Sequence, residues 1–451
     1  MRRLAVPLVG AFASGMAPGL VAAALAFMPV GGVAKSIFVS AAMCGMIAAS
    51  LAGGFMADRL GRVGAIRLTG MIALFATPFI CAPSSVFPLA VAGRFAQGLG
   101  LGLFSVLLPL YVAETQSAFR RGRATAFYQF SNTLGGIVAA LCGLAIAAWG
   151  QSPSTAWGLS PMEWGLSPSV AWRVDILLIF PILLLFVAGS LFLKEGTVPQ
   201  NLGTDPREMT GTDPKIEGTV PIGRVCLAMV VLALTSATGI GSVMHYSVTM
   251  MTEAGLVGAR ANVADAAMRV CGLLAALVSA AFIDRRGRAF VLKIGTAGAA
   301  MALAALGSLF LALRTGSVPA FWGTVPVAGI GVAVLLCTFV AFFSFGPGVC
   351  VWVVAAELLP ASVRAKGMSF ALLGNQAVTA AVASVFLPVA SRFGYAPLFF
   401  AFALAAAAYF ALTRVVSRGG GYMLSTEIRA SSDFIVSSDG GLGTRNSTAS
   451  V

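Results

Sequence analysis

The sequence predicts an all-α polytopic membrane protein, with twelve transmembrane helices in two pseudo-symmetric sets of six. Three observations predict it. Of the 451 residues, 58% are hydrophobic and only 10% are charged, whereas a soluble domain carries about 25% charge. Too few charges remain to cover a water-facing surface. The charges are also clustered, and the apolar runs between them reach about 20 residues or more, enough to cross roughly 30 Å of hydrocarbon as a helix. Finally, two short charged motifs recur in the same order in each half of the chain. These features exclude a soluble enzyme. The net charge of +13 lies in short clusters between apolar runs, the pattern of cytoplasmic membrane loops rather than of a nucleic-acid-binding surface. The 7 cysteines fall mostly inside apolar runs with no CxxC, so neither a metal site nor a disulfide framework is expected. No cofactor motif appears.

The spans are expected at about 4–29, 36–57, 63–82, 86–113, 123–149, 172–193, 222–250, 261–283, 289–313, 321–356, 365–391 and 395–415. Helices are expected because a lipid-facing backbone must satisfy its own hydrogen bonds, and no ten-residue alternation suggests a barrel. Met1-Arg2-Arg3 before an apolar run resembles a signal peptide. The run is too long for an h-region, and the repeat needs it, so it is expected to remain as span one.

Residues 1–193 are expected to form one six-helix bundle and 222–415 the other. Between them, 194–221 repeats Glu-Gly-Thr-Val-Pro (195–199 and 217–221) and Gly-Thr-Asp-Pro (203–206 and 211–214). Pro and Gly at that density break helices, so a flexible linker is expected. Residues 416–451 read as a disordered polar tail. The loop before span six repeats Trp-Gly-Leu-Ser-Pro (157–161 and 164–168), and its tryptophans suit a membrane interface.

Basic residues set the orientation. Of 29 Lys and Arg, Lys35, Arg173, Arg260, Arg314 and Arg392 fall in loops on one side, and Arg94 and Arg269 fall within spans; the other 22 share the side of both termini. The positive-inside bias places both termini in the cytoplasm.

The repeat is specific. Gly54-Phe-Met-Ala-Asp58-Arg59-Leu-Gly61-Arg62 follows span two, and Ala280-Ala-Phe-Ile-Asp284-Arg285-Arg286-Gly287-Arg288 follows span eight. Glu114 ends span four with Arg121-Gly-Arg123 opening span five. Glu357 ends span ten with Arg364-Ala-Lys366 opening span eleven. Asp58, Glu114, Asp284 and Glu357 thus sit at helix C-termini, the unfavourable end for an acid, and Arg121 and Arg364 near N-termini, the unfavourable end for a base. Pairing between helices would relieve both.

At these residues the chain resembles the sugar porters of the major facilitator superfamily, over about residues 4–415. The Asp-Arg-x-Gly-Arg loop marks the superfamily. Closer marks are Gly93-Arg94-Phe95 with Gly98, Gly100 and Gly102, and Tyr111-Val-Ala-Glu114 through Arg121-Gly-Arg123 to Gln129 and Thr133-Leu-Gly135. Others are Trp172-Arg173, Gly346-Pro-Gly348 with Trp352, Ala356-Glu357, Arg364-Ala-Lys-Gly367 and Asn375. The resemblance implies the major facilitator fold and transport of a small solute by alternating access. It implies a cytoplasmic gate of Asp58, Arg59, Arg62, Glu114, Arg121, Arg123, Asp284, Arg285, Arg288, Glu357 and Arg364, whose ion pairs hold the outward-open state. It also implies a solute site at Gln129, Trp352 and Asn375.

The departures bear on the solute. Where hexose carriers show a Gln pair in span seven, this chain has Thr235-Ser236. Gln376 stands where many members have tryptophan. Short hydroxyls leave a larger, less hydrogen-bonding cavity, so a polyol or a less hydroxylated metabolite is expected over glucose. Ala17 stands where proton-coupled members carry an acid in span one, so Arg94 lacks its usual partner and is expected to face water, carbonyls or a ligand. Facilitated diffusion is therefore favoured over proton symport. A proton would need another site, and His245 and Asp265 are the candidates, with Asp265 and Arg269 spaced to pair on one face of span eight. The alternative function is an organic-anion carrier, with Arg94 and Arg269 drawing carboxylates. The expected partners are a small solute and the bilayer of a plasma or bacterial inner membrane, with the protein acting as a monomer.

Overall fold

The computed structural model describes residues 2–82, 86–115, 118–149, 168–193, 222–256, 258–316, 325–359 and 364–419. The expected linker, the tail beyond 419 and nearly all of the Trp-Gly-Leu-Ser-Pro loop lie outside these residues. Helices are α1 (Arg2–Phe27), α2 (Gly32–Ile80), α3 (Phe87–Thr115), α4 (Ala118–Trp149), α5 (Pro168–Leu177), α6 (Phe180–Ser190) and α7 (Ile222–Ala237). They continue with α8 (Ile240–Glu253), α9 (Ala259–Arg286), α10 (Arg288–Thr315), α11 (Val325–Phe345), α12 (Pro347–Glu357), α13 (Arg364–Phe393) and α14 (Ala396–Gly419). Among them lie 12 stretches long and apolar enough to cross a membrane, matching the expected spans in number and order.

Backbone breaks explain why helices and spans do not correspond one to one. α2 holds spans two and three, joined through Gly61 at φ 70 and ψ 165. Gly287, at φ 79 and ψ 160, separates spans eight and nine. Both glycines belong to the Asp-Arg-x-Gly-Arg motif, and both adopt a conformation that residues with a Cβ rarely enter. The motif's glycine is therefore what lets the chain reverse there. Spans six, seven and ten are each broken within the membrane. Span seven breaks at Gly239, left-handed at φ 79, and span ten at Gly346, before Pro347. Proline cannot donate to the preceding turn.

Within each half, small residues let helices approach closely. A side chain at Gly15 of span one would collide with the carbonyl of Asn132 in span five, and one at Gly135 with the carbonyl of Phe12. Such contacts drive helix association in lipid. The halves meet through span one on seven, two on eleven and five on eight. The last two are the same contact seen twice, because the repeat makes span two equivalent to eight and five to eleven.

The apolar core is not uniform along the bundle. At the end away from the termini, here the far end, one cluster joins Val21, Leu25, Phe38, Ile80 and Trp172 of the first half to Val243, Tyr246, Phe339, Phe386 and Phe399 of the second. Toward the end bearing the termini, here the basic end, the core divides. One cluster there contains only first-half residues, including Val63, Phe104, Tyr111 and Phe186. The other contains only second-half residues, including Leu232, Val351, Leu359 and Tyr409. The halves are fused at the far end and parted at the basic end.

Candidate functional site

The cores of the two halves part toward the basic end, so the faces turned toward the other half can be read from where the helices touch farther out. Gly136 of span five lies against the Arg269 guanidinium of span eight. Seven residues make about two turns, so Gln129 falls on the same face of span five, about 10 Å nearer the basic end, where it is exposed. In span eleven, Leu387 packs against Gly32 of span two. Eleven residues make about three turns, which puts Gln376, half-buried, on the face of Leu387. By helical period, one glutamine from each half thus falls on a face that meets the other half farther out. Trp352 lies beyond the span-ten break, on α12, and is 44% exposed.

The other expected contacts are used differently. Asn375 donates from Nδ2 to the Leu232 carbonyl of span seven at 2.8 Å. The Ser236 and Thr379 hydroxyl oxygens are 2.9 Å apart across the same two helices. Thr235, buried, donates to the Val231 carbonyl of its own helix at 2.9 Å. Asn375 and the Ser236–Thr379 pair thus tie spans seven and eleven together, while Thr235 is turned onto its own helix. A short hydroxyl in a helix readily turns back to its own carbonyls, and an amide near a close helix crossing finds a backbone acceptor first.

A matching clamp lies in the first half. Asn132 donates from Nδ2 to the Ala11 carbonyl of span one at 3.2 Å. Glu114 to Glu357, Arg121 to Arg364 and Asn132 to Asn375 are each 243 residues apart (357 − 114, 364 − 121 and 375 − 132). The clamp is part of the repeat, and extending the offset along span five would have located it.

Arg94 differs most from expectation. It does not face an open cavity. It is buried at the fused end, with Nη1 donating to Gln97 Oε1 and its guanidinium 5.3 Å from the centre of the Phe38 ring. An amide three residues on and an aromatic face replace the missing acid. Asp265 and Arg269 pair as their spacing suggests, at 2.9 Å. Ser247 donates to the other Asp265 oxygen, and Arg269 Nη2 donates to the Met244 carbonyl at 3.1 Å. The pair ties span eight to span seven where span eight meets spans one and five. His245 is buried, with Nδ1 2.7 Å from the Gly241 carbonyl.

At the basic end, Arg59 and Arg285 are exposed, and Arg62 and Arg288 are half-buried. Arg59 lies over the Phe55 ring at 4.2 Å. The side chains of Asp58, Glu114, Arg121, Arg123, Asp284, Glu357 and Arg364 lie outside the described residues. Arg67 has a role the sequence did not suggest. It donates to the Ser190, Leu191 and Leu193 carbonyls at 3.1, 3.1 and 3.2 Å, closing the C-terminus of span six. Among the described residues, no group of His, Cys, Asp and Glu is placed to hold a metal ion.

Residues 29–197 and 217–417 match the family described as sugar (and other) transporter. The chain belongs to this family. The transporter is 25% identical over 424 residues, 88% of this chain and 86% of the relative, to a probable metabolite transport protein, CsbC, of Bacillus subtilis. It is 27% identical over 390 residues, 79% of this chain and 70% of the relative, to probable polyol transporter 4 of Arabidopsis thaliana. Among solved structures, the inward-open xylose transporter XylE from E. coli superimposes with a TM-score of 0.74 at 17% identity, covering 91% of this chain and 94% of that one. The major facilitator architecture is thereby shown, and the protein is a multi-pass membrane transporter, not an enzyme.

Proposed function

We propose that this transporter carries a small polyhydroxylated solute of the sugar or polyol class by alternating access, with both termini and the parted end in the cytoplasm. The observation that carries the reading is the placement of Gln129 and Gln376, one in each half, on faces that meet the other half farther out. Neutral amides that donate and accept suit a neutral hydroxylated ligand better than a charged one. With Thr235, Ser236 and Asn375 engaged by other protein groups, fewer polar groups remain for the solute, which favours a less demanding polyol over a hexose. The relative named for polyols is consistent with the sugar or polyol class. The cytoplasmic orientation rests on the 22 basic residues at the end bearing the termini. In this reading the gate acids and arginines pair when that end closes.

The alternative, an organic-anion carrier, has one observation in its favour. Arg94 is a buried cation with no carboxylate partner among the described residues. Uptake into liposomes of polyols, pentoses, hexoses and small carboxylates separates the two. The polyol reading expects saturable polyol uptake that Gln129→Ala and Gln376→Ala weaken. Carboxylate uptake that no polyol competes with would establish the alternative.

A further inference from the structure

Arg269 makes a contact that pairing with Asp265 does not require: it reaches across to the first half. A methyl group at Gly19 of span one would stand 3.7 Å from its guanidinium carbon, and one at Gly136 of span five 3.5 Å from Nη1. Two glycines on two helices thus form a notch, and a cation of the other half lies in it. The contact recurs seven residues along each helix, where a methyl group at Gly143 would stand 3.2 Å from Asn262 Oδ1. The steps from 136 to 143 and from 269 to 262 are each about two turns, taken in opposite directions. Both contacts therefore lie on one antiparallel seam between spans five and eight. Asn262 is held loosely, with Nδ2 3.4 Å from the Gly258 carbonyl and no partner for Oδ1 among the described residues.

Arg269 is held firmly, and by its own half. Nε donates to Asp265 Oδ2 at 2.9 Å, Nη2 donates to the Met244 carbonyl at 3.1 Å, and Ser247 holds the other Asp265 oxygen. These anchors have two consequences. The carboxylate travels with the guanidinium, so the halves close on a neutralised pair rather than on a bare cation. The side chain is also ordered beforehand, so closing removes little of its rotamer freedom. Its level in the bundle matters as well. Met268, next to Arg269, and Val21, two residues past Gly19, belong to the core that the halves share. Met16 and Leu20 belong to the core of the first half alone. The notch thus lies where the shared core gives way to the separate ones, about 10 Å from the level of Gln129.

We propose that Arg269 is a plug which the second half inserts into the Gly19–Gly136 notch of the first, and that its seating closes the solute site off from the far side. The pair and the notch belong to different halves, so the halves cannot part at this level without withdrawing the plug. The hydrogen bonds to Asp265 and Met244 lie within one half and survive the withdrawal. The proposal rests on the alternating-access reading above.

The test obstructs the notch and reads conformation with no solute present. Gly31 and Arg260 are exposed at the far end of opposite halves. Spin labels at Gly31→Cys and Arg260→Cys, with the native cysteines replaced, report the open-to-closed ratio in liposomes. Gly136→Ala should leave the ratio unchanged, because its methyl group meets the Gly15 carbonyl at 3.4 Å and Nη1 at 3.5 Å, which are ordinary contact distances. Gly136→Val, Gly136→Leu and Gly136→Phe should move it progressively toward the open form, by about tenfold or more for the larger two. Leu141→Phe, on the same helix at a position 50% exposed, adds bulk away from the seam and should have no effect. Adding Asp265→Ala and Arg269→Ala to Gly136→Leu empties the notch and should restore closure. A native ratio in every larger Gly136 variant that assembles overturns the proposal, as does an equal shift in Leu141→Phe. An open form that persists once the pair is removed overturns it too, since something other than Arg269 would then fill the notch. If the combined variant does not assemble, the graded Gly136 series against Leu141→Phe decides. Solute plays no part in these measurements, so failure here leaves the polyol reading untouched.

Discussion

The two ends of the bundle are closed by different physics. At the far end the halves share one apolar core in which Phe386 stacks on Tyr246 at 5.1 Å, and Tyr246 donates to the Ala383 carbonyl at 3.2 Å. At the basic end each half keeps its own core, and the loops between them carry paired acidic and basic motifs in place of aromatic rings. An apolar seam gains from area removed from water, and in lipid from packing. A charged seam gains only what survives hydration of the separated charges. The basic end can therefore part at modest cost, because water takes over the role of each lost partner. The far end cannot part without dividing a packed core. If the charged gate acts as proposed, that difference lets the basic end part more readily than the far end.

The largest effect should come from the far end. Phe386→Ala removes a fully buried ring and should destabilise the protein by about 3–5 kcal/mol. Thermal unfolding in detergent would show it, together with increased labelling at Arg260→Cys. A loss under about 1 kcal/mol would mean that the aromatic cluster of Phe386 with Tyr246, Tyr395 and Phe402 does not hold the far end. Next come the two motif glycines. Gly61→Ala and Gly287→Ala force a Cβ into a glycine-only conformation and should each cost about 1–3 kcal/mol. The two values should agree, since the φ and ψ values nearly match. A large disparity, read by unfolding midpoints, would break the equivalence of the halves at these loops.

At the basic end, Asp58→Asn or Glu357→Gln should shift the conformational balance toward the parted form by about 1–2 kcal/mol, between the worth of an exposed and a buried ion pair. Stability of the parted form itself should hardly change. Cysteine labelling at the basic mouth measures this, and unchanged labelling in both variants removes the charged gate. The smallest effect concerns the amide clamps. Asn132→Ala and Asn375→Ala each lose one cross-helix hydrogen bond, worth about 1 kcal/mol, and should do so equally. If Asn375→Ala also abolishes solute binding while Asn132→Ala does not, the second clamp doubles as a solute contact.

Much of this molecule was legible before any coordinate. The twelve spans follow from charge-free runs, because lipid permits few other backbones. The equivalence of Asp58 with Asp284 follows from a shared motif, and that of Glu114 with Glu357 from an offset of 243 residues (357 − 114) that also contained the Asn132 and Asn375 clamp. The pairing of Asp265 with Arg269 was a matter of helical period. The solute contacts were less legible. Thr235, Ser236 and Asn375 have the chemistry of a binding site, yet Thr235 bonds a carbonyl of its own helix, and Ser236 and Asn375 find partners on a neighbouring one. No pattern within one helix reveals which neighbour comes near enough to claim a polar group.

Arg94 and Asp175 mark the limit from opposite sides. Both are charged residue types in long apolar spans, and composition alone assigns each an expensive burial. The sequence determined that cost, the membrane topology and the two-fold plan, since those depend on residue type and spacing along one chain. Whether the cost is met was decided by tertiary contact. Arg94 found the Phe38 ring of span two beside the Gln97 amide of its own helix, while Asp175 was packed beside a helix with no ionisable group and has no donor among the described residues. The open end was decided the same way. Which of the two seams is fused depends on contacts between residues hundreds of positions apart, and both arrangements satisfy the same local pattern.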